Sequence, residues 1–186
     1  MISAYKSGII HIGDLPLGGH YPIRVQSMTN TNTNDIEATV AQTIRLAEAG
    51  CEMVRITAQG ITEAQNLALI RKNLQARGIK IPLIADIHFN PHAAEVAAAI
   101  VEKVRINPGN YTDKRESKQA LSAREYDDEL ERIAQRLRPL LNICSRNGTA
   151  IRIGTNHGSL SSRIMDRYGD TPEGMVESAL EFGRIC

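Results

Sequence analysis

IPLIADIHFNPHAAEVAAAIVEKVRINPG, residues 81–109, decides the fold. Residues 81–86 are an apolar run of strand length, and PHAAEVAAAI is an alanine-rich stretch opening on Pro91, a residue suited to a first helical turn. EKVRINPG, 102–109, reads as strand again, ending in an Asn-Pro-Gly turn. Strand, helix and strand joined by short connections form a right-handed parallel unit. Within it, Asp86 and His88 stand two apart where the apolar run should simply end. Side chains two apart on a strand share a face, so the acid and the imidazole project together.

The unit recurs in both directions. Upstream, PIRVQSM (22–28) reads as strand, and DIEATVAQTIRLAEAG as a helix capped by Asn34 or Asp35 and stopped at Gly50. CEMVRIT (51–57) is the next strand, followed by a helix from about Thr62 to Arg77 and a stop at Gly78. Downstream, the charged stretch 111–129 is expected as a solvated insertion or helix start, leading into a long amphipathic helix that reaches Arg146. GTAIRIGTN (148–156) is the fifth strand, and TPEGMVESALEFGRI is a last helix with Pro172 in its first turn. A short hairpin, GIIHIG then DLPLGG, precedes everything.

Two α/β architectures accommodate this order. A doubly wound sheet usually carries a G-x-G-x-x-G loop after its first strand, and QSMTNTNTND has none. The expectation is therefore a partial TIM-type β/α barrel, with about five of the full eight β/α units and a short N-terminal hairpin.

Composition agrees. The chain has 186 residues, 42% of them hydrophobic and 4% aromatic, which suits helices packed on a sheet in one domain. A formal net charge of +1 implies no general affinity for nucleic acid. No stretch approaches the ~20 apolar residues of a membrane span, and the start, MISAYKSGIIHIG, lacks a long apolar core, so a cytoplasmic protein is expected. Cys51, Cys144 and Cys186 are far apart and outside any C-x-x-C pattern, which signals neither disulfide framework nor metal site. His88 and His92 are four apart, but Pro91 opens a helix between them and no third ligand is evident, so no metal is expected.

A barrel builds its active site at the carboxyl ends of its strands. Polar residues gather there with period two: Gln26 and Met28, Arg55 and Thr57, Asp86 and His88, Arg105 and Asn107, then Arg152, Gly154 and Asn156. In a barrel, Arg55, Arg105 and Arg152 would converge on the single carboxylate of Asp86. Guanidinium forks match carboxylate or phosphate, so the implied ligand is a compact polyanion. The plainer alternative is that Asp86 neutralises one arginine and helix carboxylates take the others. NPGN (107–110) and NHGSL (156–160) bring glycines to the same rim, and His157 is either a second imidazole there or a solvated loop residue. Asp86 beside His88 suits proton transfer or the holding of a substrate hydroxyl.

VQSMTNTNTND, AGCEMVRIT, IPLIADIHFNPHAA, EKVRINPGN and IRIGTNHGSL together resemble the 4-hydroxy-3-methylbut-2-en-1-yl diphosphate synthases of non-mevalonate isoprenoid biosynthesis, over nearly the whole chain. The resemblance implies that residues 1–186 are the N-terminal part of a TIM-type barrel that binds 2-C-methyl-D-erythritol 2,4-cyclodiphosphate. It implies substrate-binding roles for Gln26, Met28, Arg55, Arg105, Asn107, Arg152, Asn156 and His157, beside catalytic Asp86 and His88. The family's reaction is a reductive ring opening at a [4Fe-4S] cluster, with electrons from ferredoxin or flavodoxin. The resemblance implies that the cluster ligands and the later barrel strands, including one expected to supply a lysine to the diphosphate, lie outside residues 1–186. A fragment without them is expected to be inactive. The segment 111–129 resembles the extended plant and bacterial form of the family, and the lack of a transit peptide favours a bacterial source. A homodimer is compatible with this reading. Two others remain: a phosphate-binding barrel transferase of the dihydropteroate synthase type, and a non-catalytic domain whose strand-end arginines serve an interface.

Overall fold

The computed structural model describes residues 6–88, 90–111 and 121–186. A parallel sheet of five strands carries the fold: β3 (Gln26–Met28), β4 (Met53–Ala58), β5 (Leu83–Ile87), β6 (Lys103–Ile106) and β7 (Ala150–Ile153). Spatial order follows chain order. The strand order never reverses, as it would in a doubly wound sheet, and winding continues in one direction as in a barrel. The antiparallel pair β1 (Ile9–Ile12) and β2 (Leu15–Gly18) forms the opening hairpin.

Helices α1 (Ile36–Glu48), α2 (Ile61–Ala76), α3 (Pro91–Ala98) and α5 (Ala123–Asn147) cover one face of the sheet, each packed on the one before. Their starts follow local chemistry: Asp35, Asn90 and Ser122 each accept a hydrogen bond from a first-turn N–H. Strand residues facing them, such as Val54, Ile56, Ala85 and Val104, are fully buried and form the main core. The alanines of α3 (Ala93, Ala94, Ala97 and Ala98) are also fully buried, which lets that helix lie close to its neighbours. Beyond β7, α6 (Ser162–Tyr168) and α7 (Pro172–Ile185) dock on α5 through a buried cluster in which Glu181 accepts from both Arg163 and the Tyr126 hydroxyl. Among the described residues, no helix is long and apolar enough to cross a membrane.

Several boundaries differ from the sequence expectation. The first strand of the sheet is limited to Gln26–Met28 instead of 22–28: before it one backbone bond remains, from Glu52 N–H to the Val25 carbonyl, while the Glu52 side chain takes the Val25 N–H and Arg24. NPGN is not an open turn: Pro108–Tyr111 wind into a short helix, α4. Helix α6 was not anticipated, and His157–Ser159 form a 3-10 turn. Of the charged stretch 111–129, residues 112–120 lie outside the described residues; Tyr111 and Tyr126 at its ends are buried, not solvated.

The opposite face of the sheet is the inner one. At the amino ends of the strands, Ile12, Leu15 and Leu17 of the hairpin pack on Met53, Ile84 and Ala150. This apolar plug closes the lower end of the inner face. Above it, apart from Met28 on the edge strand, the inner face carries polar and charged side chains.

Candidate functional site

Strand register builds the inner face in rows. Met28, Arg55, Ile84, Lys103 and Ala150 are aligned across β3 to β7, and Thr57, Asp86, Arg105 and Arg152 form the next row toward the carboxyl ends. The period of two that exposed these residues in the sequence aims them all at one side.

Asp86 is the centre, only 1% exposed. Arg55 Nη2 donates to its Oδ2 at 2.6 Å, Arg105 Nη1 to its Oδ1 at 3.3 Å, and His88 Nε2 lies 3.2 Å from Oδ2. Two guanidiniums from separate strands thus share one buried carboxylate, and their charge exceeds its own. Arg55 Nε is buried with no acceptor. Arg105 is fixed further by donating from Nη2 to the Gly154 carbonyl at 2.5 Å. A side chain at Gly154 has no room: its Cβ would lie 2.1 Å from Arg105 Nε. Glycine there lets the arginine lie flat along the start of the β7 loop.

Arg152 stands beside Arg105 in register but is exposed and makes no ion pair with the described residues. Convergence on Asp86 therefore involves Arg55 and Arg105, with Arg152 as an unspent cation at the edge. Gln26 and Met28 lie on the edge strand β3, Met28 directly beside Arg55. Asn107 is 4% exposed and engaged internally, its Nδ2 donating to Ser159 Oγ at 2.7 Å and its Oδ1 accepting from Gly109 N at 3.3 Å. That bond joins the NPGN helix to the NHGS turn so closely that a Cβ on Gly109 would sit 1.7 Å from the Ser159 carbonyl oxygen. Asn156 opens the 3-10 turn and is exposed; His157 extends away to Asp170, Nε2 to Oδ1 at 3.3 Å. His92 pairs with Glu95 on the surface of α3.

Two participants escaped the sequence reading. Lys103 is on the inner face and 6% exposed, though in EKVRINPG it resembles the polar start of a strand. Ser159 holds Asn107, and nothing in a single NHGSL string announces it. The TNTNTND segment also forms a polar cavity of about 390 Å³ with Thr57, Gln59 and Glu63, beside the carboxyl ends of β3 and β4.

The cysteines do not suit an iron-sulfur cluster. Cys51 is half-buried, Cys144 buried and Cys186 exposed, and the described residues contain no group of three or more potential metal ligands. Burial, with Cys186 adding to it, pushes the Cys144 thiol up to about 11, away from the thiolate a metal requires.

Comparison with known proteins follows the same lines. A 4-hydroxy-3-methylbut-2-en-1-yl diphosphate synthase (flavodoxin) of Parabacteroides distasonis is 62% identical over 183 residues, covering 97% of this chain and 30% of that protein. Its namesakes in Bacteroides fragilis and Leptospira interrogans are 59% and 51% identical, over 99% and 97% of this chain. The chain spans about 30% of the length of these relatives. Among solved structures, a Plasmodium falciparum HPPK-DHPS aligns over 95% of this chain and 44% of its own, with a TM-score of 0.45 and 13% identity. The GcpE TIM-barrel domain matches residues 7–186, the span that holds the hairpin plug, the sequentially wound sheet and the Arg55–Asp86–Arg105 cluster, and the chain belongs to that family.

Proposed function

We propose that residues 1–186 form the N-terminal part of a substrate-binding barrel whose inner face holds 2-C-methyl-D-erythritol 2,4-cyclodiphosphate, the substrate of 4-hydroxy-3-methylbut-2-en-1-yl diphosphate synthase. The carrying observation is the overmatched carboxylate: Arg55 and Arg105 both reach Asp86, and their remaining donors, with Arg152 alongside, suit a doubly charged diphosphate. In this reading Asp86 keeps Arg55 and Arg105 in place and orients His88, which holds or transfers a proton at a substrate hydroxyl. Arg contacts stabilise the charge released on the diphosphate as the ring opens. Gln26, Met28, Asn107, Asn156 and His157 complete the rim, Asn107 by fixing the two loops that border the mouth.

The relatives' name supports flavodoxin as electron donor, ferredoxin being the other candidate, and their bacterial sources are compatible with a cytoplasmic enzyme. In this reading the reducing [4Fe-4S] cluster belongs to the part of the whole enzyme that residues 1–186 do not span, the chain covering about 30% of its relatives' length. The extended bacterial form and a homodimer are compatible with the reading.

Titration of the chain with the cyclodiphosphate in a calorimeter tests it. Saturable binding is expected, and Arg105→Gln and Arg152→Gln should each weaken it about tenfold or more. A folded chain that gives no heat, or both variants binding like the parent, overturns the proposal.

A further inference from the structure

Lys103 is a buried cation that the Asp86 cluster does not account for. It lies on β6 two residues before Arg105, so both side chains leave the strand on its inner face. Its register partners are Ile84 and Ala150, both members of the apolar plug. Yet it is 6% exposed, and no carboxylate among the described residues pairs with it. The charges that act on it are Arg152 and Arg55, of its own sign.

Folding alone gives no reason for this arrangement. An ammonium group taken out of water without a counter-charge costs folding energy, and like-charged neighbours add to the cost. Burial first, then Arg152 and Arg55, lowers its pKa below the usual lysine range. A methionine at this position would pack on Ile84 and Ala150 with none of these penalties. The arrangement makes sense if an anion normally occupies the space above the plug, one that Asp86, already shared by Arg55 and Arg105, cannot replace.

We infer that Lys103 is a further substrate-binding residue, whose ammonium meets the deeper phosphoryl group of a diphosphate held also by Arg55, on a strand position level with it, and by Arg105 in the row above. The inference rests on the polyanion reading of the site and adds to it a floor: cations from β4, β6 and β7 would enclose the ligand from below as well as from the rim.

Inorganic pyrophosphate is the probe, titrated calorimetrically into the chain and into two neutral variants, Lys103→Met and Lys103→Gln, with thermal unfolding of each recorded without ligand. At least one variant should fold with an unfolding temperature equal to or above that of the parent, while its affinity for pyrophosphate falls about tenfold or more. A purely structural lysine would show the reverse, with lower unfolding temperature and unchanged affinity, and that result overturns the inference. Failure of both variants to fold overturns it too, since the cation is held to burden the fold. If the parent binds and both variants bind equally, only the role of Lys103 falls. A folded parent that binds no pyrophosphate removes the polyanion reading and this inference together.

Discussion

Asp86, at 1% exposure, accepts from Arg55 and Arg105 and contacts His88, so its position governs three other side chains. Arg105 is the most constrained of these, gripped by the carboxylate on one side and the Gly154 carbonyl on the other. Gly154→Ala tests how much that seat matters. The added methyl would lie 2.1 Å from Arg105 Nε, and Gly154 is not one of the glycines with positive φ, so the side chain must move while the backbone is unstrained. Pyrophosphate affinity should fall about tenfold with the circular dichroism spectrum preserved; unchanged affinity would mean that the seat of Arg105 is dispensable. At this scale the sequence was informative wherever alternation operated. Arg55, Asp86 and Arg105 could be placed on one face because a strand has a period of two. Gly154 could not be read the same way, since its role is the absence of a side chain against a residue 49 positions earlier. Lys103 was passed over because a lysine opening a strand ordinarily faces water.

Between elements, the carboxylate of Glu52 joins three segments. It accepts from Arg24 Nη1 and from the Val25 N–H, both at 2.8 Å, while Arg24 Nε reaches the Pro16 carbonyl in the hairpin at 2.8 Å. The hairpin plug, the approach to β3 and the start of β4 are thereby tied at one point. The Val25 N–H, and then Arg24, hold the Glu52 carboxyl below its ordinary value of 4.5. A carboxylate with a folded pKa below its unfolded one stabilises above the unfolded value, and that contribution is lost as pH falls through the folded one. Glu52→Gln should therefore lower the unfolding temperature at neutral pH, with the gap between variant and parent closing as the pH is taken below 4.5. A gap independent of pH would show that the carboxylate charge is not what joins the segments. These links also explain why the strand is shorter than the PIRVQSM pattern predicts. Its alternation is genuine, but the backbone pairing ends with the bond from Glu52 N–H to the Val25 carbonyl, and before that the Glu52 side chain takes over. Helix α6 was missed for a different reason: SSRIMDRY has too few apolar positions for a period to show, and its place depends on the buried contact of Arg163 with Glu181 of α7.

For the whole molecule, the order of elements was legible almost entirely from the alternation of strand and helix patterns, because each βα unit packs on its neighbour and little depends on distant pairing. The inner plug was not, since it joins the hairpin to Met53, Ile84 and Ala150 across most of the chain. The distribution of thiols also belongs to this scale. With Cys51, Cys144 and Cys186 dispersed and Cys144 raised to about 11, anaerobic reconstitution with iron and sulfide should leave the chain without the visible absorption band of a [4Fe-4S] cluster. A stoichiometric band would locate cluster ligands here after all.

The alternation in β6 has one more consequence. Val104 and Ile106 serve the helices while Lys103 and Arg105 serve the opposite side, so the strand carries two unrelated instructions in odd and even positions. Losing a single residue ahead of Arg105 would exchange them at a stroke, driving positive charge among alanines and offering valine to an anion. Point substitutions here can be graded in effect; a change in parity cannot, and evolution can vary this segment only in spelling, never in count.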